Sequence, residues 1–188
     1  MHASFDWKAM LAAKVLDHGG VIAYPTEAVW GLGADPFNPK AVERILELKQ
    51  RSIDKGLILV SGQAEHFLPY LEPLEDLLIE RFFAPQDKPT TWLVPDVRSQ
   101  IPYWVKGQHS SVAMRLTQHP VCAALSQHFG GPVISTSANP ASKPSARSLC
   151  EVKHYFHDAL DFCLSAPLGG AGQASQIRDL RTGTVVRI

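Results

Sequence analysis

The stretch Gly19-Gly20-Val21-Ile22-Ala23-Tyr24-Pro25-Thr26-Glu27-Ala28-Val29-Trp30-Gly31-Leu32-Gly33 decides how this chain is read. It opens with a short apolar run at residues 21–24, of the length and β-branched character of a buried strand. Pro25 should end the ladder, because proline brings no N–H to a neighbouring strand. Thr26 and Glu27 follow at once, placing a hydroxyl and a carboxylate at the mouth of a strand, where ligands of α/β proteins usually bind. Gly31 and Gly33 close the segment, as positions where a backbone can approach a ligand or take positive φ. An ordinary Pro/Gly turn leaving the core explains the same residues equally well. Two familiar phosphate motifs are missing: Gly31-Leu32-Gly33 lacks the third glycine of a dinucleotide fingerprint, and no Gly-x4-Gly-Lys-Ser/Thr loop occurs.

Working outward, a helix is expected over residues 4–18, capped by Ser4, with Trp7, Met10, Leu11 and Val15 as its apolar face against the sheet and Gly19 as its stop. A second helix is expected from Pro39 to Lys49, with Asn38 as cap. Lys49-Gln50-Arg51-Ser52-Ile53-Asp54-Lys55-Gly56 then carries three cations on the connection to a buried-type strand at residues 57–60. Cations at a helix C-terminus are favoured by its dipole, and three together also suit a polyphosphate, with Arg51 as a planar fork and the lysines as point charges.

Residues 64–83 read as helical, broken by Pro69 and Pro73. Ser111 to Leu116 reads as a strand, Pro120 to Phe129 as a helix closed by Gly130, and residues 132–136 as the next strand, ending in Thr136-Ser137-Ala138-Asn139. Such a tetrapeptide is also an ordinary turn. Residues 143–147 read as a mobile loop, and Ser148 with Glu151 as a capping box opening another helix. Residues 169–172 form a glycine loop that is not a phosphate loop, and residues 176–179 and 184–188 look like short strands around Thr182-Gly183.

Length and charge set outer bounds. At 188 residues the chain suits one domain with a sizeable core. Eighteen basic and eighteen acidic residues cancel, so no global field draws it to nucleic acid. Cys122, Cys150 and Cys163 are odd in number and far apart, which reads as reduced thiols of a cytoplasmic protein. His154 and His157 lie a helical turn apart without a third ligand, so a solvated helix face is expected rather than a metal site. Neither a signal peptide nor a membrane-spanning run is read.

Taken together, Tyr24-Pro25-Thr26-Glu27, Gly31-Leu32-Gly33, Lys49-x-Arg51, Ser111-Val112-Ala113-Met114-Arg115, Ser135-Thr136-Ser137-Ala138-Asn139 and the Ser175 to Arg187 region resemble the YrdC-like family of threonylcarbamoyl-AMP synthases. The resemblance implies an α/β fold, a single domain over residues 1–188 with a twisted mixed sheet flanked by helices. It implies a reaction of L-threonine, bicarbonate or carbon dioxide, and ATP that gives threonylcarbamoyl-AMP and pyrophosphate, with magnesium on the phosphates. The product would pass to the proteins that transfer the threonylcarbamoyl group to adenosine 37 of tRNA. By position, Lys49, Arg51, Lys55, Ser111, Asn139, Arg147 and Arg187 would hold ATP. Thr26, Arg115, Ser137 and Ser175 would hold threonine, Arg115 facing its carboxylate.

The chain departs from the family pattern in three places. Ala28 replaces a usual threonine, Asp87-Lys88-Pro89 stands where Pro-Gly-Pro is usual, and Ala141-Ser142 replaces Ser-Gly. No residue is named as a general base; Glu27 is near, but a turn-stabilising carboxylate explains it as well. The rival from another class is a non-catalytic RNA-binding or ribosome-maturation module, against which stand the balanced charge and the lack of an aromatic recognition motif. A carbamoyl-transfer domain is a second rival.

Overall fold

The apolar run does become a strand, but the ladder outlasts the proline. In the computed structural model β1 spans Ile22–Pro25 and pairs antiparallel with β2 (Trp30–Gly33), Pro25 lying opposite Trp30. Thr26 closes the hairpin: its backbone N–H and its hydroxyl both donate to the Val29 carbonyl, at 3.0 and 2.8 Å. Gly31 and Gly33 therefore sit in a strand, not a loop, and neither takes positive φ. Gly33 is required by contact. A Cβ there would lie 2.8 Å from the ring of Tyr24, which is fully buried and donates its hydroxyl to the Ile134 carbonyl at 3.1 Å.

The structure describes residues 3–187, with side chains from Phe5 onward, so the expected Ser4 cap lies outside the described side chains. After α1 (Ala3–Asp17), β1 and β2 come α2 (Pro39–Lys49), a 3-10 turn (Ile53–Lys55) and β3 (Ile58–Ser61). The helical stretch at 64–83 divides into a 3-10 turn (Ala64–His66), α3 (Leu68–Leu71) and α4 (Asp76–Phe83). Then follow β4 (Thr90–Pro95), α5 (Tyr103–Lys106), β5 (Ser111–Leu116), α6 (Pro120–Phe129), β6 (Val133–Ser137), α7 (Leu149–Phe156), β7 (Phe162–Cys163), β8 (Gln176–Asp179) and β9 (Val185–Arg187).

The nine strands form one mixed sheet in the order β7-β1-β2-β6-β3-β5-β4-β8-β9. Among the described residues, only β1/β7, β3/β5 and β4/β8 pair in parallel. Alternation along each strand sends neighbours to opposite layers. Val21, Ala23, Leu59 and Ile134 join the core under α2 and α7, while Ile22, Tyr24, Val60 and Val133 join the core under α1 and α6. Burial on both faces explains why these strands read as continuous apolar runs.

The face chosen for α1 is corrected by the structure. Trp7 and Met10 are exposed, and the buried stripe is Ala9, Ala12, Ala13 and Leu16. Small side chains let α1 approach α6 closely, and the pair covers one sheet face. On that same face, period-two alternation from Val133 leads to Ser135 and Ser137, beyond the two helices. There the sheet is open.

Candidate active site

A cavity of about 660 Å³ lies over this open part of the sheet. Its floor is set by strand alternation. Ser111, Ala113 and Arg115 fall on one face of β5, and Ser135 and Ser137 on one face of β6, with Ile58 of β3 opposite both Ala113 and Ser135. The hairpin turn contributes Thr26, and the β8–β9 region brings Ser175 and Arg187.

The cationic end is built by the exit from α2. Asn38 caps that helix by accepting from the Ala41 N–H at 3.2 Å, and Gln50 ends it in the left-handed region at φ 50°. The reversal carries Arg51 out of the helix direction. Arg51 then donates to the Gly56 carbonyl at 3.0 Å, which fixes its guanidinium beside Lys55. Burial and then repulsion from Arg187 lower the Arg51 pKa. Two guanidiniums thus share one region, and among the described residues no carboxylate lines the cavity. Like charges crowded without a counter-ion make a receptor for a polyanion.

Arg115 is the contrasting cation. It is 7% exposed and pairs with Glu27, Nη2 to Oε2, at 3.4 Å. Thr117, just past β5, donates its hydroxyl to Glu27 Oε1 at 2.5 Å. Burial alone would raise the Glu27 pKa, but the Arg115 charge and the Thr117 hydrogen bond outweigh it and hold the carboxyl below its ordinary 4.5. Ser175 is buried and shares a hydrogen bond with Thr91, hydroxyl to hydroxyl, at 2.8 Å. The glycine loop is docked: Gly169 N–H donates to Thr26 O at 3.0 Å and Ala171 N–H to Glu27 O at 2.8 Å.

Of the residues singled out in the sequence, Thr26, Arg51, Lys55, Ser111, Arg115, Ser137, Ser175 and Arg187 line the cavity. Lys49, Asn139 and Arg147 do not. Lys49 is buried and donates to Ser137 O and to both oxygens of Asn139, at 3.0 Å to the carbonyl and 3.3 Å to the amide oxygen. Burial first, and Arg51 second, pull its pKa down to about 8. Asn139 in turn accepts from the Ser137 hydroxyl at 2.7 Å. Lys49 and Asn139 thereby shape the turn that presents Ser137. Arg147 is exposed, its backbone N–H donating to Glu151 at 2.7 Å. The sequence reading missed Ser135, Ser145, Lys106 and His109 in the lining. Alternation from Ser137 would have found Ser135; nothing local marks the other three, Lys106 arriving at the end of α5 and Ser145 and His109 on loops.

The model of the Sua5/yciO/yrdC family, described as Telomere recombination, matches residues 14–188. The chain belongs to the Sua5/YciO/YrdC family. Within that family it is 51% identical over 182 residues to a protein of Pseudomonas aeruginosa (strain UCBPP-PA14) named threonylcarbamoyl-AMP synthase, covering 97% of each chain. A protein of the same name from Cellvibrio japonicus (strain Ueda107) is 48% identical over 186 residues, covering 97% of this chain and 98% of that one. Among solved structures, P. abyssi Sua5 complexed with L-threonine superposes with a TM-score of 0.82 at 29% identity. This Sua5/YciO/YrdC member is matched over 94% of its length there and spans 52% of the Sua5 chain.

Proposed function

We propose that the chain is a threonylcarbamoyl-AMP synthase, acting as one domain over residues 1–188. The threonine amine takes up carbon dioxide, forming an N–C bond and releasing a proton. The resulting carbamate oxygen attacks the α-phosphorus of ATP, the bond to the β-phosphate oxygen breaks, and pyrophosphate leaves. The observation that carries this reading is the division of the cavity's cations. Among the described residues Arg51, Lys55 and Arg187 have no carboxylate partner and suit phosphates, whereas Arg115 is single, buried and oriented, and suits one carboxylate. Catalysis in such a site is chiefly positioning and charge stabilisation. Thr26, Ser137 and Ser175 line the same cavity as Arg115 and supply hydroxyls for threonine, while Ser111 stands with the phosphate-binding set.

The described residues offer no cluster of His, Cys, Asp and Glu fit to hold a metal, and the cavity lining is free of carboxylates. Magnesium is therefore read as part of the nucleotide substrate, carried on its phosphates, and no step is assigned to it. No helix among the described residues is long and apolar enough to cross a membrane, and we place the enzyme in the cytoplasm, handing its product to the tRNA threonylcarbamoyl-transfer proteins. Pyrophosphate release, assayed with and without threonine and bicarbonate, tests the reading; release independent of both overturns it. Arg115→Ala should raise the KM for threonine far more than that for ATP, and the opposite pattern would reverse the two ends of the cavity.

A further inference from the structure

Glu27 stands at the edge of the substrate cavity without lining it. Thr26 and Arg115 face that cavity, whereas Glu27, Thr117 and His119 line a second one of about 430 Å³ behind them. The two carboxylate oxygens of Glu27 meet different neighbours. Oε1 accepts from Thr117, and Oε2 is buried, without a hydrogen bond, 3.4 Å from Arg115. Thr117 is itself pinned: its oxygen accepts from the His119 N–H at 3.0 Å, and its own N–H donates to Ser61 O at 2.9 Å. The Glu27 backbone carbonyl is tied to the glycine loop through Ala171. The carboxylate is thus held by the end of β5 and the residues just past it, and the Glu27 backbone by the glycine loop.

We propose that Glu27 is the positioning counter-ion of Arg115, locked by Thr117, and that it fixes the guanidinium in place to receive the threonine carboxylate rather than acting as the base for its amine. A base must reach the proton it removes, and Glu27 reaches Arg115 instead. Its lowered pKa agrees. Arg115, buried and with its Nε lacking any hydrogen-bond partner, would without Glu27 be an uncompensated charge free to take other rotamers.

The inference rests on the threonine reading of the cavity, and the experiment separates the two. Steady-state kinetics of the full chain, varying threonine and ATP separately, are compared for wild type, Glu27→Gln, Thr117→Val and Thr117→Ser. Expected is a KM for threonine raised about tenfold or more in Glu27→Gln and Thr117→Val, an unchanged KM for ATP, and recovery in Thr117→Ser, which keeps the hydroxyl. If Glu27→Gln fails to fold, the two Thr117 variants decide alone. Product from wild type with an unchanged threonine KM in the variants overturns the positioning role and leaves the function standing. A loss in kcat alone, with the acidic limb of the pH profile gone, makes Glu27 the base and also overturns it. No threonine-dependent product from wild type overturns the functional reading, and this role with it.

Discussion

Two cations two residues apart in sequence behave differently. Arg51 faces the cavity, and its Nε has no hydrogen-bond partner. Lys49 is spent on the Ser137–Asn139 turn. Arg51→Ala should therefore weaken ATP use about ten- to hundredfold, the worth of one charge-assisted bond. Arg98→Ala, which loses only an exposed ion pair to Glu72, should leave ATP use unaltered. Lys49→Met should do the reverse of Arg51→Ala, lowering the denaturant midpoint because carbonyls of Ser137 and Asn139 lose their donor, at about 1–3 kcal/mol per unsatisfied group. Equal kinetics for the two arginine variants would remove Arg51 from the nucleotide end. Glu27 provides a pH test. Its folded pKa lies below the unfolded value, so the unfolded chain binds more protons as pH falls. The stability it contributes is complete above about pH 4.5 and is lost as pH falls through the folded pKa. The stability gap between wild type and Glu27→Gln should accordingly narrow on acidification; a gap independent of pH would mean that the ion pair contributes nothing.

At the level of elements, the tightest joint is between the end of β3 and α6. A Cβ on Gly62 would lie 2.3 Å from the Ala123 Cβ and 2.5 Å from its Cα, contacts that no rotamer change relieves. Gly62→Ala should push α6 off the sheet and cost about 1–3 kcal/mol or more, read as a lowered Tm; an unchanged Tm would show that α6 is free to shift. The same elements show what the sequence discloses. The bounds of α2, β5 and α6 are legible to the residue, because Asn38 and Pro39, the alternation from Ser111, and Pro120 with Gly130 are local signals acting within a turn. The buried face of α1 is not. Its bulky side chains suggested one stripe, yet helix-to-helix approach selected the alanines, a decision made by α6 more than a hundred residues away. β7, two residues long and paired only with β1, has no local signature at all. The site follows the same rule. Strand residues Ser111, Arg115 and Ser137 line the cavity, while Lys49, grouped with Arg51 by the resemblance, is drawn to the Ser137–Asn139 turn instead, a difference in direction that proximity in sequence conceals.

The whole molecule carries balanced charge, eighteen basic against eighteen acidic residues, so any grip on tRNA must come from a local patch. A patch meeting three or four phosphates should lose roughly 40- to 150-fold in affinity between about 50 and about 200 mM salt; affinity unchanged over that range would contradict it. The sheet has a further consequence. The cavity takes Thr26 from the first hairpin and Ser175 and Arg187 from the far edge, where β8 joins by pairing with β4. A ribosome makes Arg187 about 160 residues after Thr26, which at roughly 5–20 residues per second is a delay of about 8–30 s. During that interval the emerging polypeptide possesses Thr26, and later Arg51 and Arg115, but no closed receptor for either substrate. The receptor takes its full lining only when residues 175–187 dock, which makes its assembly a late event of synthesis.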